Sequence, residues 1–448
     1  MSTAELADRV AALMSAARRD LAELVGFRSV ADPDQFPPEE CERCAAWVTD
    51  AFLDVGLADV AAPVTPDGSK AVFGQRPGPP GAPTVLLYCH YDVQPPLGED
   101  AWETPAFVLT ERDDGRWYGR GAADCKGNLV AHLTALRALG DELAVGVKLI
   151  AEGSEEQGTG GLEALIEEDP ALLAAEAIVV CDTGNFELGL PTLTTSLRGV
   201  ANLVLTVTTL RGPLHSGVFG GPAPDALGAL IQMLAGLRDE EGDVTVAALP
   251  EPLPWQGLDY PPERFRRDAG VLEGVQLTGT GTVAEMLWAR PALTVLGIDA
   301  PPVSGSTMAV PAQARARISL RLPPGIGADD ATRALRGQLE SAAPWGAEVE
   351  LELEGSADPF VGSTSGPAFA ALAAALEEAY GRGHVTQGQG GSIPLCNTLQ
   401  RTYPDAEIML IGVEEPGCLI HAPNESVDPT EIERIALAEA IFLSRLLK

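Results

Sequence analysis

Basic residues are scarce in this chain. Its 448 residues include 30 lysines and arginines against 64 aspartates and glutamates, which gives a formal net charge of −34. A protein that binds nucleic acid needs a basic surface to displace the counterions of the phosphates, and an anionic membrane surface attracts the same kind of protein. We therefore expect neither nucleic acid nor a membrane as a partner.

Long apolar runs and targeting signals are also missing. No stretch of about 18 apolar residues is free of charge, so no transmembrane helix is predicted. Residues 1–20 lack a basic segment followed by an apolar one, so no signal peptide is predicted. They are predicted to form an amphipathic helix, with Ser2 and Glu5 spaced as a capping box. The seven cysteines fit reduced thiols better than a disulfide framework, which predicts a cytoplasmic protein.

Two patterns of predicted secondary structure follow each other along the chain. Thr84–Asp92 is a nearly continuous apolar run, as in a buried strand of a largely parallel sheet, and helices alternate with further strands up to Asp182. Three later segments alternate between polar and apolar residues, which indicates a sheet with one exposed face: Asn202–Thr209, Ala312–Leu322 and Ala347–Gly355. With their intervening helices they follow the β-α-β…β-α-β order of a ferredoxin-like unit.

The predicted fold class is therefore α/β, interrupted by a smaller α+β domain. The catalytic domain is expected to have a mixed, mostly parallel sheet with helices on both faces. We place its first part at residues 1–195, the ferredoxin-like domain at 196–385, and the second part of the catalytic domain at 386–448.

Histidine is rare enough that each one is informative. The five are His90, His132, His215, His384 and His421. His90 ends a buried strand, and Asp92 follows on the same face, where a carboxylate can accept the second ring N–H and fix the tautomer for metal binding. Taken alone, this pair fits a hydrogen-bonded core histidine better than a ligand.

Four further segments favour a metal site. Asp124 lies in a loop before a helix, Glu155 and Glu156 follow a strand, and Asp182 and His421 follow two more. Singly, each carboxylate fits a helix cap or a solvated charge. Because α/β sheets place their chemistry at the carboxyl ends of the strands, all of them are expected at one edge.

The number and type of these candidate ligands fit a site that binds two metal ions. Imidazole and carboxylate without thiolate favour zinc, with manganese and cobalt as alternatives. A two-metal site shares one carboxylate and leaves room for a bridging water. Adjacent side chains on extended chain point to opposite sides, so one of Glu155 and Glu156 is predicted to bind metal and the other to act as general base. By the same alternation, Cys89 and Cys181 are expected to point into the core.

In these motifs the sequence resembles the M20 family of co-catalytic metallopeptidases. The motifs run in the family's order over essentially the whole chain: Tyr88–Val93, Tyr118–Gly127, Glu152–Glu156, Cys181-Asp182, Leu214–Gly217 and His421–Glu425. Within the family the chain is most similar to the carnosinase-like and cytosolic nonspecific dipeptidases. That similarity is carried by Asp92–Pro95 followed by Trp102, by the long insert, and by Gly390–Pro394.

The resemblance implies a role for each residue. Asp124 bridges the two ions; His90 and Asp182 complete one site, and Glu156 and His421 the other. The catalytic residues are Glu155 as general base, Asp92, and His215, which belongs to the inserted lid and dimerisation domain and steadies the oxyanion in the active site of a partner subunit. The substrate's free carboxylate is held by Arg321, Ser392 and Gly391. The resemblance also implies a homodimer formed through the lid domain, and a cis peptide between Asp124 and Cys125.

Three positions depart from the family pattern: Cys89 and Cys125 replace the usual Gly and Asp, and Ala422 stands where Ser is common. None of them removes a ligand. His132 and His384 are interpreted as structural residues.

The sequence is compatible with three functions. The first is a metal-dependent dipeptidase that acts on small peptides with a free C-terminus. The second is an N-acyl-amino-acid amidohydrolase using the same site. The third, from another class, is a catalytically silent homodimeric binding protein, which the intact Glu155 argues against.

Overall fold

The computed structural model describes residues 1–247, 249–250 and 253–446. Its chain forms two compact units. The first comprises Met1–Thr195, Gly362–Gln387 and Pro394–Lys448, and the second comprises Ser196–Val361 and Gly388–Ile393.

The elements are numbered in chain order. The helices are α1 (Thr3–Gly26), α2 (Glu39–Asp54), α3 (Lys126–Leu139), α4 (Gly161–Glu168), α5 (Pro170–Leu173), α6 (Ser216–Phe219), α7 (Ala226–Ala235), α8 (Pro262–Asp268), α9 (Ala328–Ser341), α10 (Pro367–Tyr380), α11 (Pro394–Thr402) and α12 (Pro429–Arg445). The strands are β1 (Ala58–Ala61), β2 (Val72–Arg76), β3 (Thr84–His90), β4 (Thr110–Glu111), β5 (Trp117–Tyr118), β6 (Gly146–Glu152), β7 (Ala177–Cys181), β8 (Thr192–Leu197), β9 (Gly199–Thr208), β10 (Leu214–His215), β11 (Ala292–Asp299), β12 (Ala309–Val310), β13 (Gln313–Leu322), β14 (Glu348–Ala357), β15 (Phe360–Val361), β16 (Val385–Gln389), β17 (Glu407–Ile411) and β18 (Ser426–Val427).

The first unit is built on a mixed sheet with the order β1-β2-β6-β3-β7-β17-β8. Its central pairs, β3 with β6, β3 with β7 and β7 with β17, are parallel. Leu87 and Cys89 of β3 join a core cluster with residues of α1, α3 and α12, while Leu86 and Tyr88 are buried on the opposite face. Because both faces of this sheet are covered, the side chains on both faces of its strands are apolar, and the strand sequences are continuous apolar runs. The predicted α/β fold is confirmed.

Two smaller predictions are also confirmed in this unit. α1 begins with the capping box of Ser2 and Glu5. Cys89 and Cys181 are fully buried in the core, as the alternation of side chains along a strand requires.

The second unit is an antiparallel sheet with the order β11-β13-β9-β14. Helices α7 and α9 contact its strands, and their apolar residues form one core with Leu205, Ile318 and Leu320. Along β13, Arg315 and Arg317 are exposed on the other face. This is the predicted ferredoxin-like arrangement, and the alternation of the strands reflects its single covered face.

The first unit resumes at Gly362, whereas the sequence prediction placed this return at 386. The difference arises from α10, which contacts α12 and β17 and contributes Leu372 and Leu376 to the core of the first unit. A single amphipathic helix between two domains carries no sequence signal of which core it joins.

Among the described residues, none of the helices is long and apolar enough to cross a bilayer.

His132 forms a buried ion pair in the first unit. Its Nδ1 lies 2.9 Å from Glu439 Oε2, and its Nε2 lies 3.2 Å from the carbonyl oxygen of Tyr88. Both partners accept, so both ring nitrogens must carry hydrogen. Burial alone would lower the pKa of His132, but the Glu439 carboxylate holds it well above the ordinary range. His384 contacts Glu377 at the surface.

We predict that Glu439→Gln lowers the free energy of unfolding by about 3–5 kcal/mol, because it leaves a buried imidazolium without its counterion. Urea denaturation followed by tryptophan fluorescence measures the change. The matched control is Glu167→Gln, whose exposed pair with Arg401 at 3.4 Å should contribute less than about 1 kcal/mol. Equal stability of the two variants would contradict the prediction.

Candidate active site

Four neighbouring strands deliver polar side chains to one edge of the sheet in the first unit. His90 is the last residue of β3, and Asp182 directly follows β7. Glu155 and Glu156 follow β6 in a short 3₁₀ turn. Glu414 follows β17 by three residues. Because these strands run parallel, their carboxyl ends meet at this edge.

His90 forms the centre of the first group. Its Nε2 lies 3.0 Å from Asp124 Oδ1 and 3.1 Å from Asp182 Oδ1. Its Nδ1 lies 3.0 Å from the carbonyl oxygen of Asp92 and 3.5 Å from that residue's Oδ1. The backbone carbonyl therefore fixes the tautomer, with the carboxylate as a more distant partner than the sequence suggested. Nε2 faces two carboxylates, so it either carries hydrogen and donates to them or, with hydrogen on Nδ1 alone, is available to bind a metal ion between them.

His421 forms the second group. Its Nε2 lies 2.9 Å from Asp124 Oδ2 and 3.3 Å from Glu156 Oε2. The two oxygens of Asp124 thus face two different histidines. Glu156 Oε2 also accepts from Gln94 Nε2 at 2.8 Å, whereas Glu156 Oε1 is buried and has no hydrogen-bond partner among the described residues. An orphaned carboxylate oxygen beside an imidazole fits a metal ligand.

Asp92 positions the turn that carries both glutamates. Its carboxylate is fully buried and accepts from the amide of Glu155 at 3.1 Å and from the amide of Glu156 at 3.0 Å. These two bonds fix the backbone of the turn from which both side chains extend. The single residue Asp92 therefore supports His90 through its carbonyl oxygen and the two glutamates through its carboxylate.

The site concentrates negative charge. Burial raises the pKa of Asp182 to about 6, and burial together with the charge of Asp182 raises the pKa of Glu155 well above its usual value. Hydrogen bonds from both histidines overcome burial and lower the pKa of Asp124. Hydrogen bonds to Asp124 and Glu156 raise the pKa of His421 to about 11. Buried carboxylates at this density stay ionised only when cations compensate them, and bound divalent ions would lower the pKa values of Asp182, Glu155 and His421.

The structure adds two residues that sequence reasoning did not assign. Glu414 is buried, and one of its oxygens lies within 4.8 Å of ligand atoms of Asp124 and Asp182. Its position after an apolar strand is the same signal that identified Asp182. Cys125 Sγ lies within the same distance of ligand atoms of His90 and Asp182, and it donates to the carbonyl oxygen of Cys181 at 2.9 Å. A thiol therefore borders a site predicted to contain only oxygen and nitrogen.

Glu425 fixes the loop that carries Asp124. Its carboxylate accepts from Arg120 Nη1 at 2.7 Å, from Gly121 N at 3.0 Å, and from Ala123 N and Asp124 N at 3.1 Å each. It lies four residues after His421, so it connects the loops of two predicted ligands. The predicted cis peptide between Asp124 and Cys125 is present in this loop.

The remaining predicted site residues lie in the second unit. Arg321 Nη1 is 3.3 Å from Ser392 Oγ, so these two residues are brought together, and Gly391 precedes Ser392 in the same loop. His215 is exposed, and its Nδ1 accepts from the amide of Gly217 at 3.1 Å. The five predicted metal ligands, Glu155 and Asp92 all lie in the first unit.

Comparison with known proteins identifies a peptidase family and several similar dipeptidases. The model of the peptidase family M20/M25/M40 matches residues 86–445. The cysteinylglycine-S-conjugate dipeptidase of Corynebacterium striatum is 45% identical over 433 residues, which cover 95% of this chain and 94% of that protein. A Cys-Gly metallodipeptidase of Schizosaccharomyces pombe is 30% identical over 376 residues, 80% and 78% of the two chains. The structure of human carnosine dipeptidase 1 superposes with a TM-score of 0.80 at 24% identity, covering 99% of this chain and 98% of that one.

We predict that Glu425→Gln weakens metal binding by about 10- to 100-fold, because a ligand loses the group that orients it. Competition with a chelating dye measures the metal dissociation constant, and denaturation of the metal-free protein measures stability separately. Glu431→Gln is the matched control, since Glu431 is a buried glutamate that accepts instead from Gly189, Asn185 and Tyr380. Unchanged metal affinity in Glu425→Gln would show that Glu425 serves folding alone.

Proposed function

The chain belongs to peptidase family M20/M25/M40, and from this premise we propose that it is a dinuclear metallodipeptidase that cleaves dipeptides with a free C-terminal carboxylate. The observation that carries the proposal is the placement of Asp124 between two histidines, 3.0 Å from His90 and 2.9 Å from His421. A single carboxylate with one oxygen toward each imidazole is the arrangement expected of a bridging ligand in a two-metal site.

The alternatives receive less support. An N-acyl-amino-acid amidohydrolase could use the same metals, but the curated relatives reported above are dipeptidases. A silent binding protein would have no need of the carboxylate of Glu155, whose amide is held by Asp92 beside the metal ligands.

In the proposed centre, His90 and Asp182 would hold one ion, Glu156 and His421 would hold the other, and Asp124 would be shared. Oxygen and nitrogen donors suit zinc, with manganese and cobalt as the alternatives. When bound, two divalent ions supply a water with a pKa lowered to ~7 and polarise the scissile carbonyl group.

The protein's own groups then direct the reaction. Glu155 accepts the proton of the attacking water and transfers it to the departing amine. Its backbone position depends on the bond from its amide to Asp92. In the second unit, Arg321 and Ser392 would hold the substrate's carboxylate, together with the backbone at Gly391. His215 would donate a hydrogen bond to the oxyanion.

We also propose a homodimer formed through the second unit. β11 is an edge strand of its sheet, and Val295, Leu296 and Ile298 on this strand are 39%, 52% and 46% exposed. An exposed apolar edge strand can pair with the same strand of a second copy. In such a dimer, His215 would serve the active site of the partner subunit, as the family resemblance implies.

A cytoplasmic location is proposed as well. All seven cysteines are free thiols, and all except Cys41 are buried. Reduced cysteines of this kind are typical of proteins in a reducing compartment.

Glu155→Gln is expected to keep both metals and to lower kcat by about 10²–10⁴, because it removes the group that moves the proton. Steady-state hydrolysis of L-cysteinylglycine gives kcat, and elemental analysis gives the metal content. The exposed variant Glu167→Gln should retain wild-type values. Near wild-type turnover with full metal content in Glu155→Gln would remove Glu155 from the mechanism.

His215→Ala should lower kcat by about 10²–10³ without changing metal content, since it removes one oxyanion donor. In the proposed dimer, mixing His215→Ala chains with Glu155→Gln chains creates one complete site in each heterodimer. Random pairing of equal amounts should therefore restore roughly a quarter of wild-type activity. A fully active monomer, or a mixture that stays inactive after subunit exchange has been demonstrated, would exclude this arrangement.

A further inference from the structure

A hairpin turn of the first unit contacts the loop that carries both glutamates of the candidate site. The turn comprises residues 65–69, between β1 and β2, and the loop, here called the glutamate loop, comprises residues 154–159. Tyr91 Oη donates to the carbonyl oxygen of Lys70, the residue that follows the turn, at 2.7 Å. The turn is therefore attached to the chain segment that leaves β3 at the edge of the candidate site.

Asp67 lies in this turn at the surface of the unit, and its two carboxylate oxygens have different partners. Oδ1 accepts from its own turn, from Thr65 Oγ1 at 2.5 Å and from the Ser69 amide at 3.1 Å. Oδ2 accepts from the glutamate loop, from Ser154 Oγ at 2.7 Å and from Thr159 Oγ1. Partial burial alone would raise the pKa of Asp67, but the hydrogen bonds from three hydroxyl groups and one amide lower it. One oxygen thus orients the carboxylate, and the other holds the first and last residues of the glutamate loop.

Ser154 does not cap the 3₁₀ turn that it precedes. A serine at an N-cap usually accepts from the amides that follow it, but the side chain of Ser154 forms no such bond. The amides of Glu155 and Glu156 are held by Asp92 instead. The hydroxyl of this buried serine is therefore available to donate to the carboxylate of the neighbouring turn.

Gly161, the first residue of α4, leaves the space that this carboxylate occupies. A Cβ atom at position 161 would lie 2.5 Å from Cγ and from both carboxylate oxygens of Asp67. Gly161 is not among the residues with positive φ, so its backbone conformation does not require glycine. A larger residue at this position would displace the Asp67 side chain from the glutamate loop.

The two glutamates of the loop differ in their other contacts. Gln94 Nε2 donates to the carbonyl oxygen of Glu156 at 3.3 Å and to its Oε2 at 2.8 Å. The carboxylate of Glu155 forms no hydrogen bond among the described residues, and only its backbone is held. The direction of the Glu155 side chain therefore depends on the conformation of the loop, whereas Glu156 has a support of its own.

We propose that Asp67 is a positioning residue for the general base: it holds both ends of the glutamate loop, so that the Glu155 carboxylate stays where it can accept a proton. The inference rests on the proposed function, in which Glu155 is that base. Asp92 binds the two amides within the loop, and Asp67 fixes the points at which the loop begins and ends. A displacement of about 1 Å of a catalytic group can cost ~10² in rate.

Asp67→Ala is expected to lower kcat by about 10-fold, with KM for L-cysteinylglycine within about threefold, because the base is displaced and substrate contacts are not. Steady-state hydrolysis with zinc supplied gives both constants. Competition with a chelating dye should give a zinc dissociation constant within about threefold of the wild type, since Gln94 still supports Glu156.

Gly161→Ala tests the same contact without removing the carboxylate. Its methyl group should displace Asp67 and reproduce the loss of kcat, while alanine itself is favourable in a helix. The matched control is Asp239→Ala, because Asp239 is a turn aspartate that accepts only from the amides of its own turn, Gly242 and Asp243, at 2.8 Å each. It should leave kcat and KM unchanged.

Double variants separate positioning of the base from a general structural role. If Asp67 acts through Glu155, adding Asp67→Ala to Glu155→Gln should lower kcat by less than about twofold further, because the base is already absent. A general structural defect would cost the same factor in both backgrounds. Asp67→Asn keeps one oxygen that can accept from Ser154 and Thr159, so it should retain kcat within about threefold of the wild type.

The inference is overturned if Asp67→Ala and Gly161→Ala keep the wild-type kcat, or if Asp67→Ala costs the same factor with and without Glu155. If Asp67→Ala does not fold, Gly161→Ala takes its place in the comparison of the two backgrounds. Failure of the proposed function would look different, since the wild-type enzyme would then not hydrolyse L-cysteinylglycine, or Glu155→Gln would turn it over at the wild-type rate.

Discussion

The structure depends on one electrostatic constraint, the convergence of buried carboxylates on two histidines at the edge of a sheet. Asp124 contacts His90 with one oxygen and His421 with the other, while Asp182 and Glu156 each face one of these rings. Such a cluster repels itself in an apolar surrounding unless cations are present. Bound cations would therefore stabilise this edge of the sheet as well as supply the chemistry.

Around the cluster, two further carboxylates bind backbone rather than metal. Asp92 accepts from the amides of Glu155 and Glu156, and Glu425 accepts from the amides of the loop that carries Asp124. A loop has few means of holding a side chain to within a few tenths of an ångström. Anchoring its amides to a buried carboxylate supplies that rigidity. Precision at the candidate metal site would thus come from residues that need not touch a metal ion.

Sequence reasoning succeeded where a position in a strand determines where a side chain lies. His90 and Asp182 were placed at one edge because buried parallel strands end there, and the same rule would have found Glu414. Glu425 was recognised as part of a motif, but its role depends on hydrogen bonds to a loop more than 300 residues earlier, which no local pattern encodes.

The two units contribute groups of opposite charge to the proposed reaction. In the first unit an excess of buried carboxylates calls for metal ions. In the second unit the Arg321 guanidinium contacts Ser392 and forms no ion pair with a carboxylate among the described residues, so a substrate carboxylate would supply its counterion. The chain as a whole has a net charge of −34, which gives no general attraction for anions. Under the proposed function, the free carboxylate of a dipeptide would therefore have to be recognised by local contacts.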